Sequence, residues 1–130
     1  MVLIIAEAGV NHNGDIVIAK KLVDAAKECG ADIIKFQLFN ADDLVIPNTS
    51  KAFYQKREGK ENETQFEMLK KLELNFDEQK ELKNYCDEIN IEFLSSAFDL
   101  ESLVFIKEMN LKRYKIPSGE ITNLPYLRFI

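Results

Sequence analysis

Six consecutive residues, Lys115-Ile116-Pro117-Ser118-Gly119-Glu120, bring together a cation, a hydroxyl, a glycine and a carboxylate directly after a short apolar run. Polar groups stand in the same way at three other points. Glu7 follows the apolar run Val2 to Ala6, Lys35 and Gln37 close the run Asp32 to Gln37, and Ser95 and Ser96 close Ile91 to Ser96. Two ammonium groups and several hydroxyls suit a phosphate or a carboxylate. Glu7 and Glu120 can orient a polyol or move protons. Each residue also has a structural reading. Lys35 and Lys115 can pair with Glu7 and Glu120 as ion pairs, Ser96 can be a satisfied hydroxyl, and Gly119 can serve a turn that needs positive φ. Agreement at four strand ends favours chemistry, because buried charge networks seldom add net stability.

The elements that must position these residues follow from the hydrophobic pattern. Val2 to Ala6 is apolar without alternation, the pattern of a parallel strand buried on both faces. From Asp15, a plausible N-cap, Ile16, Ala19, Leu22, Val23 and Ala26 share one helical face, and Gly30 suits the C′ position. Asp32 to Gln37 is the second strand, which completes a β-α-β unit. Residues 38–63 hold Pro47, Asn48 and Gly59 with no sustained period, and a loop of that length is usually functional or disordered. Short helices are expected over 63–72 and from Asn75 or Asp77. A third strand follows over 91–96, then a helix begun by Asp99, a fourth strand over 113–116, and a helix opening at Leu124 with Pro125 early in it. Strands alternating with helices mean a parallel sheet with right-handed crossovers. Two architectures fit: an open doubly wound sheet, or part of a (β/α)8 barrel, which needs about 250 residues in full. In parallel α/β folds ligands bind at the carboxyl ends of the strands, where the polar residues recur.

Composition narrows the function. The chain has 130 residues, 46 % hydrophobic and 30 % charged, with 22 acidic against 17 basic side chains and a net charge of −5. That balance argues against non-specific nucleic-acid binding, while local lysines still allow a small anionic ligand. The first apolar run is too short for a membrane span and lacks the flanks of a signal peptide. Cys29 and Cys86 lie in helix-like segments and read as buried free thiols of a cytoplasmic protein. The loop Gly9 to Gly14 has the form G-x-N-H-x-G rather than G-x-G-x-x-G, which argues against a dinucleotide site. His12, the single histidine, cannot make a metal site alone and reads as a residue that holds this loop.

Four motifs together, Ile4 to Gly14, Lys35-Phe36-Gln37, Phe93 to Phe98, and Lys115 to Glu120 with Thr122-Asn123, resemble the sialic acid synthase family. Tyr54-Gln55-Lys56 and Gln65 to Leu69 look closer to its neuraminate and legionaminate branch than to its pseudaminate branch. The resemblance implies a (β/α)8 TIM barrel of which residues 1–130 form the N-terminal half, about the first four β/α units. The C-terminal half-barrel and an antifreeze-like domain are then expected outside this chain. It implies condensation of phosphoenolpyruvate with an N-acetylated hexosamine, N-acetylmannosamine or a 2,4-diacetamido-trideoxyhexose, to give a nonulosonic acid and phosphate by C–O cleavage. By motif, Lys35, Ser96, Lys115 and Ser118 would hold phosphoenolpyruvate, Glu7, Gln37 and Asn62 the sugar, and Glu120 would move protons, with Lys115 and Glu120 as the catalytic residues. Position 96 often carries threonine in the family, and Ala97 replaces a common proline. A divalent metal, Mn2+ or Mg2+, is implied with its histidine ligands on later strands, as are a homodimer for the full-length protein and no activity for this polypeptide alone. A Schiff-base aldolase using Lys35 or Lys115 and a non-catalytic phosphoenolpyruvate-binding half barrel are the alternatives.

Overall fold

A computed structural model describes residues 2–44 and 64–130. Three parallel strands, β1 (Ile5–Gly9), β2 (Ile33–Leu38) and β3 (Glu92–Ala97), lie in the order β1-β2-β3. Helix α1 (Ile16–Glu28) connects β1 to β2. The next connection carries α2 (Ala41–Leu44), α3 (Gln65–Leu72) and α4 (Phe76–Glu88), and α5 (Leu100–Glu108) follows β3. A 3-10 turn (Ser118–Glu120) and α6 (Leu124–Phe129) complete the described chain.

Side chains at alternate strand positions divide the sheet into two faces. Ile34, Phe36 and Leu38 of β2, with Phe93 and Ala97 of β3, join Val23 and Ala26 of α1, Leu82 and Cys86 of α4, and Leu103 and Ile106 of α5 in one buried core. Helices α1, α4 and α5 therefore cover the same face. A doubly wound sheet carries helices on both faces, whereas sequential strand order with every crossover on one side is barrel winding. The fold is α/β, a partial TIM barrel. The other face carries Glu7, Lys35, Gln37, Leu94 and Ser96.

Local chemistry explains the helix ends. The Asp15 carboxylate accepts from the Val17 and Ile18 amides and starts α1, and Gly30, at φ +78°, ends it. Thr64 with Glu67 and Asn75 with Glu78 form capping boxes for α3 and α4. Asp99 caps α5 and also accepts from the Asn40 amide at 3.0 Å, which ties the ends of β2 and β3 together. Among the described residues no helix is long and apolar enough to cross a membrane.

Three expectations change. The first strand runs over Ile5–Gly9 rather than from Val2. Val2, Leu3, Ile4 and Ile5 are exposed, because β1 is an edge strand whose ladder with β2 begins only where Ile5 meets Ile33. The fourth strand shrinks to one parallel bridge between Lys115 and Ser96: Pro117 has no N–H to extend the ladder, and Arg113 turns to a salt bridge with Glu92. Cys29 is exposed at the end of α1, and only Cys86 is buried.

Candidate functional site

Strand register arranges the candidate residues in two rows on the helix-free face. Glu7 is the partner of Lys35, which in turn faces Leu94. One pleat further along, about 6.6 Å by strand geometry, Gln37 is the partner of Ser96, and Ser96 of Lys115. Four strand-end segments thus bring Glu7, Lys35, Gln37, Ser96 and Lys115 to one end of one sheet face.

The lower row is an ion pair. Lys35 Nζ lies 2.5 Å from Glu7 Oε2, so the structural reading of Lys35 is realised alongside any functional one. Ala8 has no partner on β2, and this irregularity between Glu7 and Gly9 turns the chain into the following loop. Gly9 sits at φ +54°, and a Cβ there would stand 3.3 Å from Glu7 Oε1 and 3.7 Å from Gln37 Nε2. The bare glycine leaves the Glu7 carboxylate and the Gln37 amide room beside one another.

The upper row ends in a cation, Lys115. Lys115 is exposed and donates to the neighbouring Ile116 carbonyl at 2.8 Å. Among the described residues it forms no ion pair, so the expected alternative of a Lys115–Glu120 pair is not realised. Ser96 is buried within the β2–β3 ladder. Ser118 is exposed and Glu120 half-buried on the 3-10 turn. Gly119 is outside the left-handed φ region, so the positive-φ reading of that glycine is set aside. Asn62 lies outside the described residues.

Glu120 is held by a residue to which the sequence assigned no role. Asn123 Nδ2 donates to Glu120 Oε2 at 2.6 Å, and Asn123 Oδ1 caps α6 by accepting from the Tyr126 amide. The Tyr126 hydroxyl then donates to the Ala97 carbonyl at the end of β3, at 3.0 Å. Burial, with Glu120 and Asp99 nearby, pushes the Tyr126 phenol up to about 12, so it remains a donor. The spacing of an N-cap asparagine three residues after Glu120 is the signal that could have revealed this link.

His12 is fully buried. Its Nδ1 accepts from the Gly14 amide at 3.0 Å, which makes it the loop-holding residue expected. Burial pushes its imidazole below the usual value, so it is neutral at pH 7. Among the described residues no cluster of three or more His, Cys, Asp or Glu side chains is arranged to hold a metal ion. A recess of about 350 Å³ opens beside the upper row, lined among the described residues by Gln37, Phe39, Leu44, Gln65, Leu69 and Phe98. Another, of about 340 Å³, lies at the opposite end of β3 near Glu92 and Lys112, the end that in barrels serves stability rather than chemistry.

Known proteins can be set beside this geometry. A family model described as the NeuB family matches residues 22–130. The chain belongs to the NeuB family. It is 55 % identical over 125 residues to the N,N'-diacetyllegionaminic acid synthase of Legionella pneumophila, covering 96 % of this chain and 35 % of that protein. It is 52 % identical over 128 residues to the N,N'-diacetyllegionaminic acid synthase of Campylobacter jejuni, covering 98 % of this chain and 38 % of that one. This NeuB-family chain also superposes on an N-acetylneuraminic acid synthetase from Leptospira borgpetersenii, crystallised with citrate, with a TM-score of 0.76. The two share 33 % identity over 97 % of this chain and 39 % of that one. The chain thus spans a little over a third of the length of these relatives.

Proposed function

We propose that the two-row cluster is the phosphoenolpyruvate side of a nonulosonic acid synthase. The observation that carries the reading is the convergence of Lys35, Ser96 and Lys115, which has no ion pair among the described residues, with Glu7 and Gln37 at the carboxyl end of one parallel sheet. Lys35 and Lys115, with the hydroxyls of Ser96 and Ser118, bind and orient the phosphate and carboxylate of phosphoenolpyruvate. Glu7 and Gln37 accept from and donate to the hydroxyls of an N-acetylated sugar. Glu120, steadied by Asn123, transfers a proton during the addition of water that precedes phosphate release. Names of the more similar relatives favour a 2,4-diacetamido-trideoxyhexose as acceptor, and the recess beside Gln37 offers an apolar seat for an acetamido methyl. A divalent cation would supply Lewis acidity at the sugar carbonyl. The described residues do not assemble a site for it.

The test has two parts. Titration of phosphoenolpyruvate into the 130-residue chain is expected to show saturable binding that pyruvate does not match; absence of binding overturns the site. Incubation with manganese, phosphoenolpyruvate and the diacetamido sugar is expected to release no phosphate from this polypeptide alone, and robust release contradicts that part of the proposal. A pyruvate adduct trapped by borohydride would instead support a Schiff-base aldolase.

A further inference from the structure

Three side-chain atoms are buried without a hydrogen-bond partner among the described residues: His12 Nε2, Gln79 Oε1 and Ser95 Oγ. Their residues are each at most 1 % exposed. Leaving such an atom unmet in the interior is unfavourable, so three of them call for a common explanation.

All three belong to residues that neighbour Phe36 or Gln37 of β2. The His12 ring lies 6.0 Å from that of Phe36. Ser95 is the Cα partner of Phe36 on β3, so the two side chains leave the sheet on the same, helix-covered face. The Gln79 side chain reaches from α4 to donate to the carbonyl of Gln37, the residue after Phe36, at 3.3 Å. The atoms are also complementary in kind. His12 Nδ1 accepts from the Gly14 amide, which leaves the proton on Nε2 as a donor. Gln79 Nε2 is engaged with a carbonyl, which fixes Oε1 as an acceptor. The Ser95 hydroxyl can be either.

We propose that His12, Gln79 and Ser95 form a buried site for one ordered water, which accepts from His12 and donates to Gln79, with Ser95 as third partner. Buried waters typically make about three hydrogen bonds to groups that lack other partners. This one joins three strand ends from behind: the β1–α1 loop through His12, the end of β2 through Gln79 and the Gln37 carbonyl, and β3 through Ser95, next to Ser96. Glu7, Gln37 and Ser96 are on the opposite face of those same ends. The water site makes His12 a positioning residue for them, a consequence that rests on the function proposed above, whereas the water site itself does not.

The chain has one histidine, so its imidazole signals in a 15N-labelled sample need no assignment. Long-range 1H–15N correlation is expected to show the Nε2–H tautomer at pH 7, and a water-selective experiment to show a cross-peak between that proton and a long-lived water. An Nδ1–H tautomer, or an Nε2–H proton with no contact to bound water, overturns the proposal. Because Ser95 and Gln79 would share the water, Ser95→Ala and Gln79→Met are expected to be non-additive in urea unfolding; additive losses also overturn it. A water cross-peak in a chain that fails to bind phosphoenolpyruvate would sink the proposed function and leave this site standing.

Discussion

Lys35 Nζ and Glu7 Oε2 lie 2.5 Å apart across β1 and β2, and the two side chains meet water very differently: 12 % of the lysine is exposed and 51 % of the glutamate. Removing the partner of a buried charge costs more than removing the pair. Glu7→Gln should therefore destabilise the chain by about 1–3 kcal/mol, an effect moderated by water at the glutamate end. Lys35→Met should change stability by less than about 1 kcal/mol yet abolish phosphoenolpyruvate binding. Urea unfolding with parallel ligand titration checks both. Equal destabilisation by the two variants would show that the pair is not held as described.

Gly14 and Gly30 separate strain from collision. Both have positive φ, but a Cβ on Gly14 would stand 2.3 Å from the Lys71 carbonyl oxygen, whereas one on Gly30 meets nothing within 4 Å. Gly30→Ala should cost about 1 kcal/mol of backbone strain. Gly14→Ala should cost roughly 2–4 kcal/mol, because α3 must also move away. Thermal melts of the two variants give the comparison, and equal losses would contradict the close approach of the β1–α1 loop to α3.

The two thiols should differ sharply in reactivity. Burial pushes Cys86 up to about 12 from the usual 9.0, while Cys29 is exposed. A disulfide reagent is expected to modify one thiol per native chain, located by mass spectrometry at Cys29, and the second only after unfolding. Rapid modification of Cys86 in the native chain would contradict its burial on the core face of α4.

How far the sequence disclosed this arrangement depends on whether the decisive interaction is local. Asp15 and Asp99 are read correctly as helix starts, and Asn75 is one of the two starts offered for α4, because a cap needs only amides two or three residues away. The start of β1 is misread because Val2 to Ile5 look like a buried strand by composition, and only the pairing of Ile5 with Ile33 shows where the ladder begins. The strand over 113–116 has a plausible pattern, but a strand exists only by its neighbours, and Lys115 alone finds one. At the site, the residue types were legible and their rows were not. That Gln37, Ser96 and Lys115 share a row while Lys35 shares one with Glu7 is a matter of register. Asn123 was visible as part of a motif, but its bond to Glu120 appears only once α6 turns back toward β3.

Burial of the Tyr126 phenol, with Glu120 and Asp99 nearby, gives an alkaline signature. The folded chain holds the phenol protonated to about 12 against the usual 10.0, so this contribution is complete below pH 10 and is lost as pH rises from 10 toward 12. Cys86 adds a fall of the same sign from pH 9, so the informative measurement compares the parent with Tyr126→Phe. The variant should start about 1 kcal/mol less stable and lose less stability between pH 10 and 12. Parallel pH profiles would contradict the buried phenol.

The central claim is that the strand-end cluster binds phosphoenolpyruvate, and Lys115 tests it most directly because no carboxylate among the described residues neutralises it. Isothermal titration of phosphoenolpyruvate into the parent chain and Lys115→Ala, with circular dichroism to confirm that both fold, is the measurement. Losing a charge-assisted hydrogen bond worth about 1.5–3 kcal/mol should raise the Kd roughly 10- to 100-fold. An unchanged Kd in a folded Lys115→Ala chain would contradict the account.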